Sequence, residues 1–294
     1  MQRAHAWAES QKSEHNINKV YNSYEALLAD EDIDAVYVAN THNFHYESVK
    51  LCLQHHKHVL CEKPITLNAK QATELYTLAR QNNCFLMEAV WTRFLPAIRM
   101  LQKVLSDNTI GEVLSLRADF SINPKLEPSH RLRNKALAGG ALLDLGIYPI
   151  TFSFIVFGEA PENIQSSAVM DSTGVDERSF YLFEYSDGRR ASLSSGYSHA
   201  APTEAIIAGS SGYIRVPHFL GAQEFTVYVE GQEPKTYSYP FNANEDFSFE
   251  IQHMHDCIAQ GLQQSPILPQ DESIQVMETM DAVRAKWDLR YDNE

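Results

Sequence analysis

Two short segments carry side chains able to move a proton and steady a developing charge. The first is Cys61-Glu62-Lys63-Pro64-Ile65, which follows an apolar run. Pro64 biases Lys63 toward extended backbone, so the lysine has limited freedom. Held there, its ammonium could face a reacting oxygen; the ordinary alternative is a solvated lysine at a strand end. The second is Gly139-Gly140-Ala141-Leu142-Leu143-Asp144-Leu145-Gly146-Ile147-Tyr148-Pro149. Its paired glycines permit an unusual turn or a close backbone approach. Asp144 and Tyr148 stand four apart and would share one helix face. A phenol has a pKa of about 10 in water. A nearby ammonium favours the phenolate and draws that value toward working pH. Tyr148 could then exchange a proton with a substrate hydroxyl while Lys63 supplies the field. The ordinary alternative is a core tyrosine whose hydroxyl bonds Asp144.

Residue periodicity predicts the elements that would position these groups. Ala4, Trp7 and Ala8 give residues 2–15 a helical stripe. Lys19–Tyr21 reads as a short strand, and Ser23 can cap a helix through Leu28. Asp34–Asn40 is β-branched and apolar, which suits a strand buried on both faces. Val49, Cys52 and Leu53 predict a helix over Tyr46–His56, followed by a strand at His58–Cys61. Asn68 with Gln71 resembles a capping box and Leu67 with Ala72 a staple, opening a helix to about Gln81. Cys84–Ala89 reads as another strand, and a helix starts near Pro96. This β-α-β-α-β succession predicts a parallel, doubly wound sheet. Ligands of such sheets sit at the carboxyl ends of the strands, which is where Lys63 falls.

From Gly111 the pattern changes. Strands are predicted at Val113–Ile122, Ile164–Met170, Ser179–Tyr185, Arg190–Ser198, Glu204–Ala208, Tyr213–Val216, Glu224–Val229 and Lys235–Tyr239. Their separators are rich in Gly, Asp and Ser, as in Ser186-Asp187-Gly188. A largely antiparallel sheet follows, interrupted by a helix near 140–157 and closed by helices near 245–261 and 271–288. The expected class is α/β plus α+β. A Rossmann-type parallel-sheet domain occupies 1–111, and a mainly antiparallel open-sheet domain occupies 112–294.

Composition narrows the function classes. The 294 residues are 44% hydrophobic and 21% charged, an ordinary globular mixture. A formal net charge of −14 repels a phosphate backbone, so nucleic acid is excluded as a partner. The longest apolar run, Ile147–Phe157, is broken by Pro149, Thr151 and Ser153, and it falls short of the ~18–20 residues that span a bilayer. The first residues lack a signal-peptide apolar stretch, so a cytosolic location is expected. Cys52, Cys61, Cys84 and Cys257 show no C-x-x-C spacing and are expected to be reduced and buried. His55, His56 and His58 lack a carboxylate at ligand spacing, so no metal site is expected.

Four segments together are specific: H-V-L-C-E-K-P at 58–64, M-E-A-V-W-T-R-F-L-P at 87–96, G-G-A-L-L-D-L-G-I-Y-P at 139–149 and S-P-I-L-P-Q-D-E-S at 265–273. With them the chain resembles the Gfo/Idh/MocA oxidoreductase family, named after glucose–fructose oxidoreductase and inositol dehydrogenase. Within it the chain looks closest to the dimeric dihydrodiol dehydrogenase and D-xylose dehydrogenase branch. The resemblance implies a Rossmann domain that binds NAD or NADP, and an open C-terminal sheet whose outer face forms a homodimer. It places Lys63, Asp144 and Tyr148 on the catalytic positions, with Tyr148 as general acid/base where many relatives carry histidine. Asn40, Thr41, His45, Glu62, Lys63, Trp91 and Arg93 would border the cofactor. Trp91, Phe94, Arg131 and Tyr148 would face the substrate, a diol, sugar or polyol. His42 stands where proline is common. Trp91, Phe94 and Phe120 could form an apolar wall, although ordinary core packing is favoured for Phe120. The implied reaction moves a hydride between a hydroxyl carbon and nicotinamide.

Beyond the mild departure at His42, the chain departs from that family in a larger respect. It holds no G-x-G-x-x-G, and none of its 13 glycines precedes Gly111. The expected domain therefore lacks the first strand, the Gly-rich loop and the second strand of a dinucleotide fold. That would expose the ladder edge of the Asp34–Asn40 strand and remove the helix N-terminus that holds the pyrophosphate. Three explanations fit: a different start or a fragment, replacement by another element or subunit, or a remnant without catalysis. Two functions follow from these, an NAD(P)-dependent oxidoreductase or a non-catalytic binding or assembly protein.

Overall fold

A computed structural model of the chain describes residues 19–127, 129–242, 245–292 and 294. The helix expected over 2–15 lies outside the described residues. Ser23 opens helix α1 (Tyr24–Leu28), its hydroxyl accepting from the Ala26 amide at 3.0 Å. The strand expected at Lys19–Tyr21 does not form. Its side chains are fixed by local carboxylates instead: Lys19 Nζ lies 2.7 Å from Asp30 and 2.9 Å from Asp32, and the Tyr21 hydroxyl donates to Asp30. Among the described residues this backbone has no ladder partner, and without one it gains nothing from extended geometry.

The parallel sheet holds β1 (Ala35–Val38), β2 (His58–Glu62) and β3 (Leu86–Ala89) in that order. Val36 pairs with Val59, and Leu60 with Met87. Helices α2 (His45–Gln54) and α3 (Ala69–Gln81) make the crossovers, and α4 (Pro96–Ser106) leads out of the sheet. The Asn68 side chain accepts from the Gln71 amide at 2.9 Å and starts α3. The Gln71 side chain reaches back to the Leu67 amide at 3.2 Å, one residue short of a reciprocal capping box. β2 and β3 are buried, but β1 is not buried on both faces: Tyr37 is 43% exposed. β1 is the edge strand and has a described neighbour on one side only.

The second sheet contains β4 (Val113–Ser121), β5 (Asn163–Met170), β6 (Asp176–Glu184), β7 (Arg190–Gly196), β8 (Glu204–Gly209), β9 (Gly212–Pro217), β10 (Glu224–Val229) and β11 (Lys235–Ser238). Its order is β11-β10-β9-β8-β4-β7-β6-β5, antiparallel throughout except for the β4–β7 pair. Period-two alternation turns Leu116, Tyr181, Phe183, Ala191, Leu193, Ile214 and Phe225 inward. Helix α5 (Ile147–Phe157) packs on β4 and β7, and α7 (Gln270–Ala285) packs on α3, α5 and β5. One apolar cluster runs from Val49 and Leu75 through Trp91 and Tyr148 to Phe183 and Phe225.

The stretch Lys135–Phe157 is long and apolar enough to cross a membrane by length and composition, yet 94% of its most apolar window is buried inside the protein. It is the central core helix. All four cysteines are free and buried.

Phe183, on β6, is wholly buried within the main apolar cluster. Phe183→Ala should lower unfolding stability by about 3–5 kcal/mol, read from urea denaturation. A loss under about 1 kcal/mol would mean that this face is not packed as described.

Candidate active site

The glycine pair shapes the turn that carries Asp144 and Tyr148. A Cβ at Gly139 would lie 2.5 Å from the Arg131 carbonyl oxygen and 2.6 Å from that of Leu132. Gly140 adopts φ +115°, a region that side chains disfavour, and its amide donates to Leu132 O at 2.8 Å. The chain then enters a π-helical turn, Leu142–Gly146, which runs directly into α5. Such turns widen the helix and separate residues that a regular α-helix would stack. The Tyr148 hydroxyl accordingly does not bond Asp144; it accepts from Trp91 Nε1 at 2.9 Å.

Asp144 instead gathers the basic side chains. Lys63 Nζ donates to Asp144 Oδ1 at 3.0 Å and to its carbonyl at 2.8 Å. Arg131 forks onto both carboxylate oxygens at 3.2 and 3.1 Å. His42 Nε2 lies 3.5 Å from Oδ1 while its Nδ1 faces Ala138 O at 3.0 Å. Burial alone would push the Asp144 carboxyl up. Lys63, His42 and Arg131 outweigh burial and hold it well below the usual carboxylate range. Burial likewise pulls Lys63 down, but Tyr148 and Asp144 reverse that, and the amine stays an ammonium.

Lys63 Nζ sits 5.0 Å from the centre of the Tyr148 ring. The expected lowering of the phenol does not follow. Burial pushes Tyr148 above its ordinary value, and the pull of Lys63 and of the Trp91 donor is smaller. The ring is only 8% exposed, and the Lys63 charge is already shared with Asp144. Tyr148 is a neutral phenol at physiological pH.

The carboxyl ends of β1 and β2 form the neighbouring edge. His45 lies between them, with Nδ1 2.7 Å from Pro64 O and Nε2 3.2 Å from Asn40 O. Burial and the neighbouring His42 lower its imidazole to about 4, so it is neutral. It can therefore donate to one carbonyl only, and the shorter contact to Pro64 is the bond. Asn40 Nδ2 donates to Ser48 at 2.8 Å, but its buried Oδ1 has no partner. Thr41 Oγ1 donates to Asn43 at 2.7 Å. Glu62 accepts from the Tyr37 hydroxyl and from the Lys63 amide. A cavity of about 260 Å³ lies along β1 between Leu28, Val38, Asn40 and Cys52.

Aromatic rings border the tyrosine. Trp91 and Phe120 meet Tyr148 edge to face, with centroids 6.3 and 5.5 Å away. Phe120 thus joins this group while also packing on the core. Phe247 covers Trp91 at 5.4 Å. The short 3₁₀ turn Trp91–Phe94 sends its other side chains elsewhere. Phe94 packs on His253 with ring centroids 5.0 Å apart, within a second apolar cluster. Arg93 is 3% exposed and ion-paired to Glu272, so it ties the 87–96 segment to the 265–273 segment. Neither is brought to Tyr148.

Motif reading missed Phe247 and Glu250, which open helix α6 (Ser248–Ala259). Glu250 is fully buried without a hydrogen-bond partner. Burial, with Glu62 nearby, pushes its carboxyl up to about 9, so it is protonated. No local spacing signals either residue.

Comparison with known proteins identifies the family. The model described as "Oxidoreductase family, NAD-binding Rossmann fold" matches residues 1–90, and the GFO/IDH/MocA C-terminal domain matches residues 98–215. Trans-1,2-dihydrobenzene-1,2-diol dehydrogenase of Xenopus laevis is 39% identical over 284 residues, covering 94% of this chain and 85% of that protein. The Danio rerio protein of that name is 37% identical over 297 residues, covering 99% of this chain and 88% of its own length. A 3-ketoreductase from Actinomadura kijaniata, solved with NADP and TDP-benzene, superposes with a TM-score of 0.84 at 26% identity, covering 96% of this chain and 87% of that one. The chain belongs to the Gfo/Idh/MocA family of NAD-binding oxidoreductases.

Proposed function

We propose that the chain oxidises one hydroxyl of a trans-diol, or of a related sugar or polyol, to a carbonyl with NAD or NADP, and catalyses the reverse reduction. The observation that carries this reading is the meeting of Lys63, Asp144, Trp91 and Tyr148 at the carboxyl end of the parallel sheet. The residues there suit a dinucleotide. Asn40 Oδ1 is an unpartnered buried acceptor, and Thr41, His45 and Glu62 share its edge. These four, with Lys63 and Trp91, would hold the cofactor's nicotinamide end. When bound, the nicotinamide supplies the hydride acceptor and donor.

The chain's own residues handle the proton. In reduction, the Tyr148 phenol donates to the substrate oxygen as negative charge develops there, and the Lys63 ammonium stabilises that charge. Asp144 keeps Lys63 protonated and fixed. In oxidation, Tyr148 must first be a phenolate, which then accepts the hydroxyl proton. Trp91 and Phe120 present ring edges around Tyr148 and Phe247 extends that wall, an arrangement that favours a flat cyclic diol. Arg131, with half its side chain exposed beside Asp144, would bond a second substrate hydroxyl.

The outer face of the large sheet exposes Phe180 (50%) and Leu182 (36%) across from Ser194 and Ser192. This mixed surface supports a homodimer through that sheet. The free cysteines support a reducing compartment, the cytosol.

Tyr148→Phe should lower kcat for trans-1,2-dihydrobenzene-1,2-diol with NAD or NADP by about 10²–10⁴-fold, with coenzyme Kd little changed. Full activity in that variant would overturn the proton-transfer role. The two directions should also differ with pH. Because burial raises the phenol, its phenolate fraction is small at neutral pH and grows as pH rises toward and past about 10. Oxidation should accelerate with pH until the phenol has ionised, while reduction stays level below that point and falls beyond it. An oxidation rate already flat above about pH 7 would show that a group of lower pKa accepts the proton.

A further inference from the structure

The turn that presents Asp144 and Tyr148 is held from outside the site. The Leu142 amide donates to Asp176 Oδ2 at 2.7 Å, and the Ser179 hydroxyl donates to the same oxygen at 3.0 Å. Asp176 is the first residue of β6 and is fully buried. Its other oxygen has no partner and occupies the space of a side chain at Gly140, whose Cβ would lie 2.4 Å away. On the same segment, the Tyr291 hydroxyl donates to Gly139 O at 2.7 Å. Tyr291 comes from the far C-terminal end, beyond α7, and is 5% exposed. At the far end of the turn, a Cβ at Gly146 would lie 2.6 Å from the Tyr181 hydroxyl, itself 2.7 Å from Ser195 Oγ.

These contacts bear on backbone atoms only. A carboxylate accepting from the first free amide of a helical run fixes the run's starting point and direction. Asp144 and Tyr148 follow within that run, so an error in its start moves both. The glycine pair lets the two grips close: a side chain at 140 would displace Asp176, and one at 139 would strike Arg131 and Leu132 carbonyls.

We propose that Asp176 and Tyr291 are positioning residues, which hold the Gly139–Leu142 backbone so that Asp144 engages Lys63 and Tyr148 faces the reacting hydroxyl. The kinetic part of this inference rests on Tyr148 being the proton-transfer group. The C-terminal end of the chain thereby becomes part of the support for the site.

The test uses the full chain as Asp176→Asn, Asp176→Ala, Tyr291→Phe and Tyr148→Phe. Three quantities are read: kcat for diol oxidation, coenzyme Kd by fluorescence, and amide exchange over 139–148. Asp176→Ala and Tyr291→Phe should lower kcat by about ten- to a hundredfold, leave coenzyme Kd within about twofold and speed exchange at Leu142. Asp176→Asn keeps an oxygen that can accept from Leu142 and should recover most of kcat. Unchanged kcat and exchange in folded Asp176→Ala and Tyr291→Phe overturn the proposal. So does an Asn variant no better than Ala, or a kcat loss matched by an equal loss of coenzyme affinity. If Asp176→Ala fails to fold, Tyr291→Phe and Asp176→Asn decide by the same readouts. Should Tyr148→Phe keep full activity, the proton-transfer reading fails, and exchange at Leu142 alone then decides the clamp.

Discussion

The contact between Lys63 and Asp144 is the joint on which the rest depends. It ties the carboxyl end of β2 to a turn 81 positions later in the chain. Both groups are nearly enclosed, with side-chain exposures of 12% and 8%. Such a pair repays its desolvation only when its remaining lone pairs are met, and here Arg131 and His42 meet them. Removing one partner strands the others in a poor solvent, at a cost of about 3–5 kcal/mol. The parallel sheet supplies the cation, the large sheet's central helix supplies the anion, and Tyr148 lies beside the junction.

That joint also fixes the state of the phenol. A free ammonium beside Tyr148 would stabilise the phenolate strongly. An ammonium already shared with a carboxylate does so weakly, and burial of the ring prevails. The resting site is therefore poised to give a proton rather than to take one. Trp91 works the other way, since an N–H donated to the phenol oxygen favours the phenolate, but burial outweighs it.

Much of this was legible locally. The Asn68 cap, the apolar run at 58–61 and separators such as Ser186-Asp187-Gly188 are short-range patterns, and the elements follow them. The failures have a common cause. Lys19–Tyr21 has a strand's composition but no ladder partner among the described residues, and Tyr37 has an edge strand's exposure despite a core strand's composition. The π-helical turn depends on Asp176, 34 residues beyond Leu142, and no spacing within 139–149 announces it. Arg93 and Phe94 meet Glu272 and His253, which arrive from the last helices and which no spacing within 87–96 announces. Residue types with local rules could be read. Residues whose role is decided by a distant partner could not.

On the proposed mechanism Tyr148 transfers the proton in the same event that breaks the substrate C–H bond. That coupling is tested most directly by combined isotope effects on a single turnover of diol oxidation, with the reacting carbon bearing hydrogen or deuterium, in H₂O and in D₂O. Both substitutions should slow the same step in the native chain, and the solvent effect should disappear in Tyr148→Phe while the carbon effect remains. A solvent effect of undiminished size in Tyr148→Phe would contradict the mechanism.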